Sequence, residues 1–411
     1  MPGSIAHRKI TRFAMEKCLP LASGDNEALV QDYCLYPDSY FGPRHSEIVP
    51  YTFKKDGIQF HYPPHISYED AYRYWDVDEN GDFYRPLPFV NHNFEFMLPG
   101  MRFYLENSIG CLEKGVDDEA RKYLGCLLHT LEDSTFGLHA LEGPGGTDAF
   151  ALDRMVQQSD FPVSPSHLAA GISTEQCHDF EYAPHTLGRT VDEASMRLYS
   201  EYVSCVAASR KCMFSYILKA NAGDKAGCAA ITQRMFENAV RISADAIYTV
   251  FSIAKGTGER PPACELTDLE PHVFPFGGFA PYRYTSFKRN YALDMEMRRI
   301  PIRLKLPLGV QNYEKGISFG AHSEGELLFW IAPGSFPKQT ILVGFHPELH
   351  FGTAKLQIVN DGKVVDEALL DDMAHAIAMT PCNAFGLRFK SCGRAGCICL
   401  TQAPLPNALF P

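Results

Sequence analysis

The hydrophobic period of this chain changes once, near residue 255, and that change limits what it can fold into. Before it, apolar residues recur every three or four positions, the spacing of a helix with one buried face. Helices are expected over residues 5–19, 67–75, 89–114, 117–138, 191–220 and 224–255. Pro20 stops the first of them, and Pro99 with Gly100 is expected to kink or interrupt the third. Asp117 and Asp118 favour the start of the fourth through the helix dipole. Beyond a Pro- and Gly-rich stretch, alternation at period two takes over in RIPIRLKL, LLFWIA, TILVGF, KLQIVNDGKVV, GLRFK and GCICLTQA. Such runs read as half-buried strands, with Asp361 and Gly362 as the turn of a hairpin. Two periods require two kinds of core, and 411 residues suffice for both. The expected fold class is multidomain: an all-α domain at residues 1–258, a connector at 259–298, and an antiparallel β-sandwich at 299–411.

Charge and composition exclude several functions. A formal charge of -11 offers no electrostatic footprint for duplex nucleic acid. No apolar run approaches the roughly 20 residues that span a bilayer, so no transmembrane segment is expected. The start, MPGSIAHRKITRFAMEKCL, lacks the apolar core and cleavage site of a secretory leader. Thirteen cysteines, an odd number with no paired CxxC spacing, then read as reduced thiols, and a cytoplasmic location is expected. Cys397 and Cys399 alternate along a strand, so both should face one side as small apolar residues.

The chemistry gathers in LLHTLEDSTFGLH, residues 127–139, which sets His129, Asp133 and His139 within eleven positions. His129 and Asp133 are four apart and share a helix face. An imidazole and a carboxylate so placed can grip one divalent metal or bridge two. An amphipathic helix with a satisfied His and a surface Asp is the competing reading. Gly137 allows the helix to end and His139 to turn back. Other ligand-type residues precede and follow. His7 lies in the first turn of the first helix. Asp38 and His61 lie in an aromatic, Pro-broken stretch over 25–64, with Asp32 and His65 competing. His178 and His185 stand in HDFEYAPH with Asp179 and Glu181.

Taken together, AHRKI, YPDSYF, QFHYPP and LLHTLEDSTFGLH resemble the zinc-dependent phospholipase C / P1 nuclease family. The resemblance implies an all-α domain, two or three Zn2+ ions, and phosphodiester cleavage by a metal-activated water. It implies one zinc on Asp38, His61, His129 and Asp133. A second would sit on His7 and a bridging Asp133, with the amino end of the chain, and His139 would hold a third. The chain departs from the family downstream. His178 and His185 are followed at the ligand offset by Tyr182 and Arg189, so either one of them substitutes with Asp179 or Glu181, or the third site is weakened or absent. The family's N-terminal Trp is also missing. Asp32 is the candidate general base, against a plain reading as a solvated loop residue.

The C-terminal stretch, with VGFHPE and DGKVV, resembles the NPCBM type of carbohydrate-associated module. That implies binding of a sugar or of the chain's own catalytic domain, with His346, His350 and Trp330 as contact residues, although Trp330 alternates with inward residues in LLFWIA and reads equally as core. A sandwich that only packs and stabilises is the equal alternative. The expected function is a phospholipase C-like, zinc-dependent hydrolase acting on a small-molecule or lipid phosphodiester. The alternatives are a single-strand nuclease-like enzyme, a glycan-associated hydrolase, or a binding protein with a residual metal site.

Overall fold

The computed structural model describes residues 3–37, 51–55, 58–62, 76–77, 83–84, 94–137, 140, 163, 165–259, 265–269, 271–273, 287–321, 324–331, 340–392 and 396–403. The chain divides into two compact units that part between Pro261 and Pro262. The first is a helical unit and the second an antiparallel β-sandwich.

In the helical unit, α1 (Ser4–Lys17) and the short α2 (Glu27–Gln31) lead to a 3-10 turn at Tyr33–Leu35. Long helices follow as α3 (Phe94–Glu113) and α4 (Asp117–Thr135), packed as a hairpin. The six-residue α5 (Pro165–Ala170) precedes a second long pair, α6 (Val191–Asn221) and α7 (Lys225–Ala254). Capping starts both of the last two: Thr190 accepts from the Glu193 backbone N–H, and Asp224 from that of Gly227. Pro99 does not interrupt α3, which runs through it as one helix. Proline removes one helical hydrogen bond, and the following face of Met101, Tyr104, Leu105, Ser108 and Ile109 is buried deeply enough to carry the helix on.

The unit is also not purely helical. Residues 25–64, read as irregular, hold α2, the 3-10 turn and a hairpin of β1 (Tyr51–Lys55) and β2 (Ile58–Tyr62). The cue lay in the Asp56-Gly57 dipeptide between YTFKK and IQFHY. Two short strands, β3 (Asp76–Val77) and β4 (Phe83–Tyr84), pair as well. The helix expected at 67–75 lies outside the described residues.

The sandwich sets a sheet of β16 (His375–Ala378), β13 (Thr340–His350), β18 (Gly396–Ala403), β11 (Ile317–Ala321) and β6 (Lys288–Arg289) against a second sheet. The second has the order β15 (Lys363–Leu370), β14 (Thr353–Asn360), β17 (Ala384–Cys392), β12 (Glu324–Trp330) and β5 (His272–Val273). The stretch read as a connector thus contributes β5 and β6 as edge strands, and β7 (Ala292–Leu293), which pairs with β8 (Arg299–Ile300); β9 (Ile302–Leu306) and β10 (Gly309–Tyr313) form a further hairpin. Phe319, Val343, Phe345 and Ile398 of one sheet meet Phe329, Leu356, Leu387 and Phe389 of the other. On β18, Ile398 and Leu400 enter this core, while Cys397 and Cys399 turn together into a second buried cluster with Leu304, Leu342 and Leu349. The β14–β15 hairpin turns at Asp361 and Gly362, both at positive φ, 47° and 80°.

His346 does not fit the surface role expected for it. It is wholly buried, donating Nε2–H to the Pro301 carbonyl at 3.2 Å. Strand β13 is covered on both faces, so its alternate residues find the second cluster rather than solvent.

Candidate metal centre

The site grows from one face of α1 and one face of α4. On α1, His7, Ile10, Thr11 and Ala14 recur at helical spacing and are all buried. On α4, acidic Asp117, Asp118 and Glu119 fill the first turn, where the dipole favours them. Further along α4, His129, Glu132 and Asp133 fall at i, i+3 and i+4, so all three share one face. Gly125 lies one turn before His129. A Cβ there would come within 2.5 Å of the Tyr33 carbonyl group, so only glycine lets the 3-10 turn settle on the helix. That approach brings the Cys34 carbonyl to His129 Nδ1, at 2.7 Å.

A carbonyl can only accept, so His129 Nδ1 carries the proton, and the lone pair of the neutral ring sits on Nε2. His7 is turned the same way: its Nδ1 donates to Glu132 Oε2 at 2.7 Å. The two rings stack, centroids 4.2 Å apart and planes 12° off parallel. Their Nε2 atoms then reach different oxygens of Asp133, His7 to Oδ1 and His129 to Oδ2, each at 3.2 Å. His7 Nε2 is buried and makes no hydrogen bond.

Burial alone would lower the basicity of His7, but Asp133 and Glu132 outweigh it and push the imidazole up to about 10. Two carboxylates at a buried site call for a positive charge there, as a proton or as a cation. Two imidazole nitrogens and a carboxylate oxygen, all within 4.8 Å of one another, form the donor set that suits zinc. The residues therefore fit a divalent ion.

Of the other expected ligands, Asp38 and His139 lie outside the described residues, and His61 is described only as backbone, paired with Thr52 on β2. Asp32 is exposed just before the 3-10 turn, its carbonyl accepting from Leu35 N–H. His178 is exposed on a segment held by Gln233 of α7 and belongs to neither ligand-type cluster among the described residues.

His185 enters a second cluster, with partners other than the expected ones. Asp179 pairs with Lys17 and Glu181 is exposed, whereas Glu201 of α6 and Asp245 of α7 flank the His185 ring. Asp245 accepts from the Tyr182 hydroxyl at 2.5 Å and from His185 N–H at 3.0 Å, and Glu201 accepts from Arg197 Nε at 2.8 Å. A guanidinium and a phenol already hold these carboxylates, which makes the cluster a half-buried polar network tying the loop to two helices.

Glu132, Glu201 and Asp245 were missed from the sequence. The i, i+3, i+4 pattern would have marked Glu132. Glu201 and Asp245 lie on separate helices and carry no local signal.

No family model matches the chain, and no curated protein does. Among solved structures it is similar to the alpha-toxin of Clostridium perfringens avian strain SWCP, at 11% identity over 99% of this chain and 82% of that one, TM-score 0.28. The alpha toxin of Clostridium absonum is similar at 10% identity over 99% and 82%, TM-score 0.27. A CBM51 module from Clostridium perfringens GH95, solved with methyl-galactose, is similar at 20% identity over 33% of this chain and 97% of that one, TM-score 0.26. At these identities and scores the likenesses carry no weight for the site.

Proposed function

We propose that the helical unit is a zinc-dependent hydrolase that cleaves phosphodiesters, with His7, His129 and Asp133 as metal ligands. The observation that carries the reading is the pair of tied Nδ1 atoms, which turns both Nε2 atoms onto separate oxygens of one carboxylate. That arrangement supports Asp133 as a bridge between two ions. Asp38, His61 and His139 join the proposal through the motif order in the sequence, and with them a phosphodiester as substrate.

Zinc held there supplies Lewis acidity toward a phosphoryl oxygen and lowers the pKa of an attacking water. The chain's own residues do the rest. Cys34 and Glu132 hold the two rings, so no reorientation is needed when a cation arrives. The Asp133 and Glu132 charges attract the cation locally. The cation in turn offsets a net charge of -11 that would otherwise repel a phosphodiester. Asp32 is the proposed proton acceptor, supported by its place two residues ahead of Cys34.

The test begins with metal analysis of the purified chain. At least one zinc per chain, lost in His129→Ala, is expected. Hydrolysis would then be measured on phospholipid vesicles, single-stranded DNA and sugar phosphates, and it should stop on chelation. Less than one zinc per chain, unchanged by His129→Ala, overturns the reading. Full zinc with no hydrolysis of any substrate replaces it with a binding role.

A further inference from the structure

Glu132 is a carboxylate with no exposure at all, and both of its oxygens are taken. Oε2 accepts from His7 Nδ1 and Oε1 from the Thr11 hydroxyl, each at 2.7 Å. His7 and Thr11 are one turn apart on α1, so a single face of that helix grips a single side chain of α4. The two contacts fix the carboxylate in plane and direction. An unrestrained imidazole can flip by half a turn about Cβ–Cγ, which puts a ring carbon where each nitrogen stood. Here such a turn would break a charge-assisted hydrogen bond and leave a buried carboxylate half satisfied, which costs more than the same rearrangement in water.

We propose that Glu132 is a positioning residue of the metal centre: it holds His7 by Nδ1, so that Nε2 is the nitrogen presented to the ion beside Asp133. The proposal rests on the metal reading above. It also assigns the adjacent acids opposite tasks. Asp133 faces the ion, and Glu132, one residue earlier, faces the ligand that the ion binds. A merely structural ion pair between α1 and α4 would hold the helices together and leave the choice of nitrogen, and the affinity for metal, unaffected. A positioning carboxylate controls both, and partners of this kind are worth about 10–100-fold in metal affinity.

The experiment uses the full chain carrying isotope-labelled histidine, loaded with NMR-active cadmium in place of zinc, and reads which histidine nitrogens couple to the metal. Chelator competition with zinc supplies the affinity. The wild type is expected to couple through Nε2 of both His7 and His129. Glu132→Gln keeps the shape and one acceptor but loses the charge; coupling at His129 should persist while zinc affinity falls about 10–100-fold. Glu132→Ala should lose the His7 coupling or move it to Nδ1, again with His129 intact. Thr11→Val, which leaves the His7 contact in place, should give a smaller loss than either. Should Glu132→Ala fail to fold, the Gln variant carries the test. Wild-type affinity together with unchanged His7 Nε2 coupling in the Glu132 variants would overturn the proposal. Coupling at His129 but not at His7 in the wild type overturns it too, while the metal reading stands. Coupling at neither histidine overturns both.

Discussion

His129 has its metal-facing nitrogen chosen by a backbone carbonyl, whereas His7 has it chosen by a buried side chain. The two should respond differently to substitution. Asp133→Asn keeps the volume but removes the charge that both rings face, so zinc retention should drop by at least an order of magnitude while the fold persists. Zinc content after dialysis checks this, and undiminished zinc would remove Asp133 from the ligand set. The second cluster makes a pH prediction. Burial pushes Asp245 from 3.8 up to about 7, with the charge of Glu201 adding to it and His185 opposing. The folded chain thus keeps a proton that the unfolded chain releases. Stability conferred by that proton is complete below 3.8 and is lost as pH rises toward about 7. His185, raised chiefly by Glu201, continues the loss above its ordinary value of 6.5. Asp245→Asn should flatten the fall between these limits in urea unfolding measured across the range; an unaltered slope would show that Asp245 does not hold the proton. His129 with Asp133 was legible because a four-residue spacing is a local property. The Asp245 network was not, since His185, Glu201 and Asp245 meet only once two helices and a loop pack.

Helix α4 and the 3-10 turn owe their close approach to Gly125, and an added methyl there meets backbone, which cannot move aside cheaply. Gly125→Ala should push the turn away, lengthen the bond from Cys34 to His129, and weaken zinc binding without touching a ligand. Chelator competition would show it, and an unchanged affinity would mean that the turn does not hold the ring. In the sandwich, Phe389 is buried and packs against Phe319 with ring centroids 5.0 Å apart. Phe389→Ala should cost about 3–5 kcal/mol in denaturant unfolding of the sandwich. The elements that sequence reading found are those with long, regular periods. The α3–α4 pair, the α6–α7 pair and the β14–β15 hairpin all announced themselves this way. The elements it missed are short. The β1–β2 hairpin was hidden by neighbouring prolines, and the edge strands β5 and β6 are two residues each, too brief to show a period.

Across the whole molecule, the two units have separate apolar cores, and the candidate ligands among the described residues all lie in the first. Calorimetry should therefore show a transition that chelation lowers and another that it leaves in place. A ligand present at a hundredfold excess over its Kd stabilises by about 2.7 kcal/mol, ample for a measurable shift. Equal shifts in every transition would contradict separate cores. What the sequence determined by itself was the order and kind of the two units and the His129–Asp133 pair, because hydrophobic period and helical spacing act between near neighbours. The tertiary structure alone decided which nitrogen each histidine presents and that Glu132, rather than a nearer residue, holds His7. His7 and Glu132 are 125 residues apart and Cys34 and His129 are 95 apart. Contacts across such separations exist only when burial brings the helix faces together, so no local pattern encodes them.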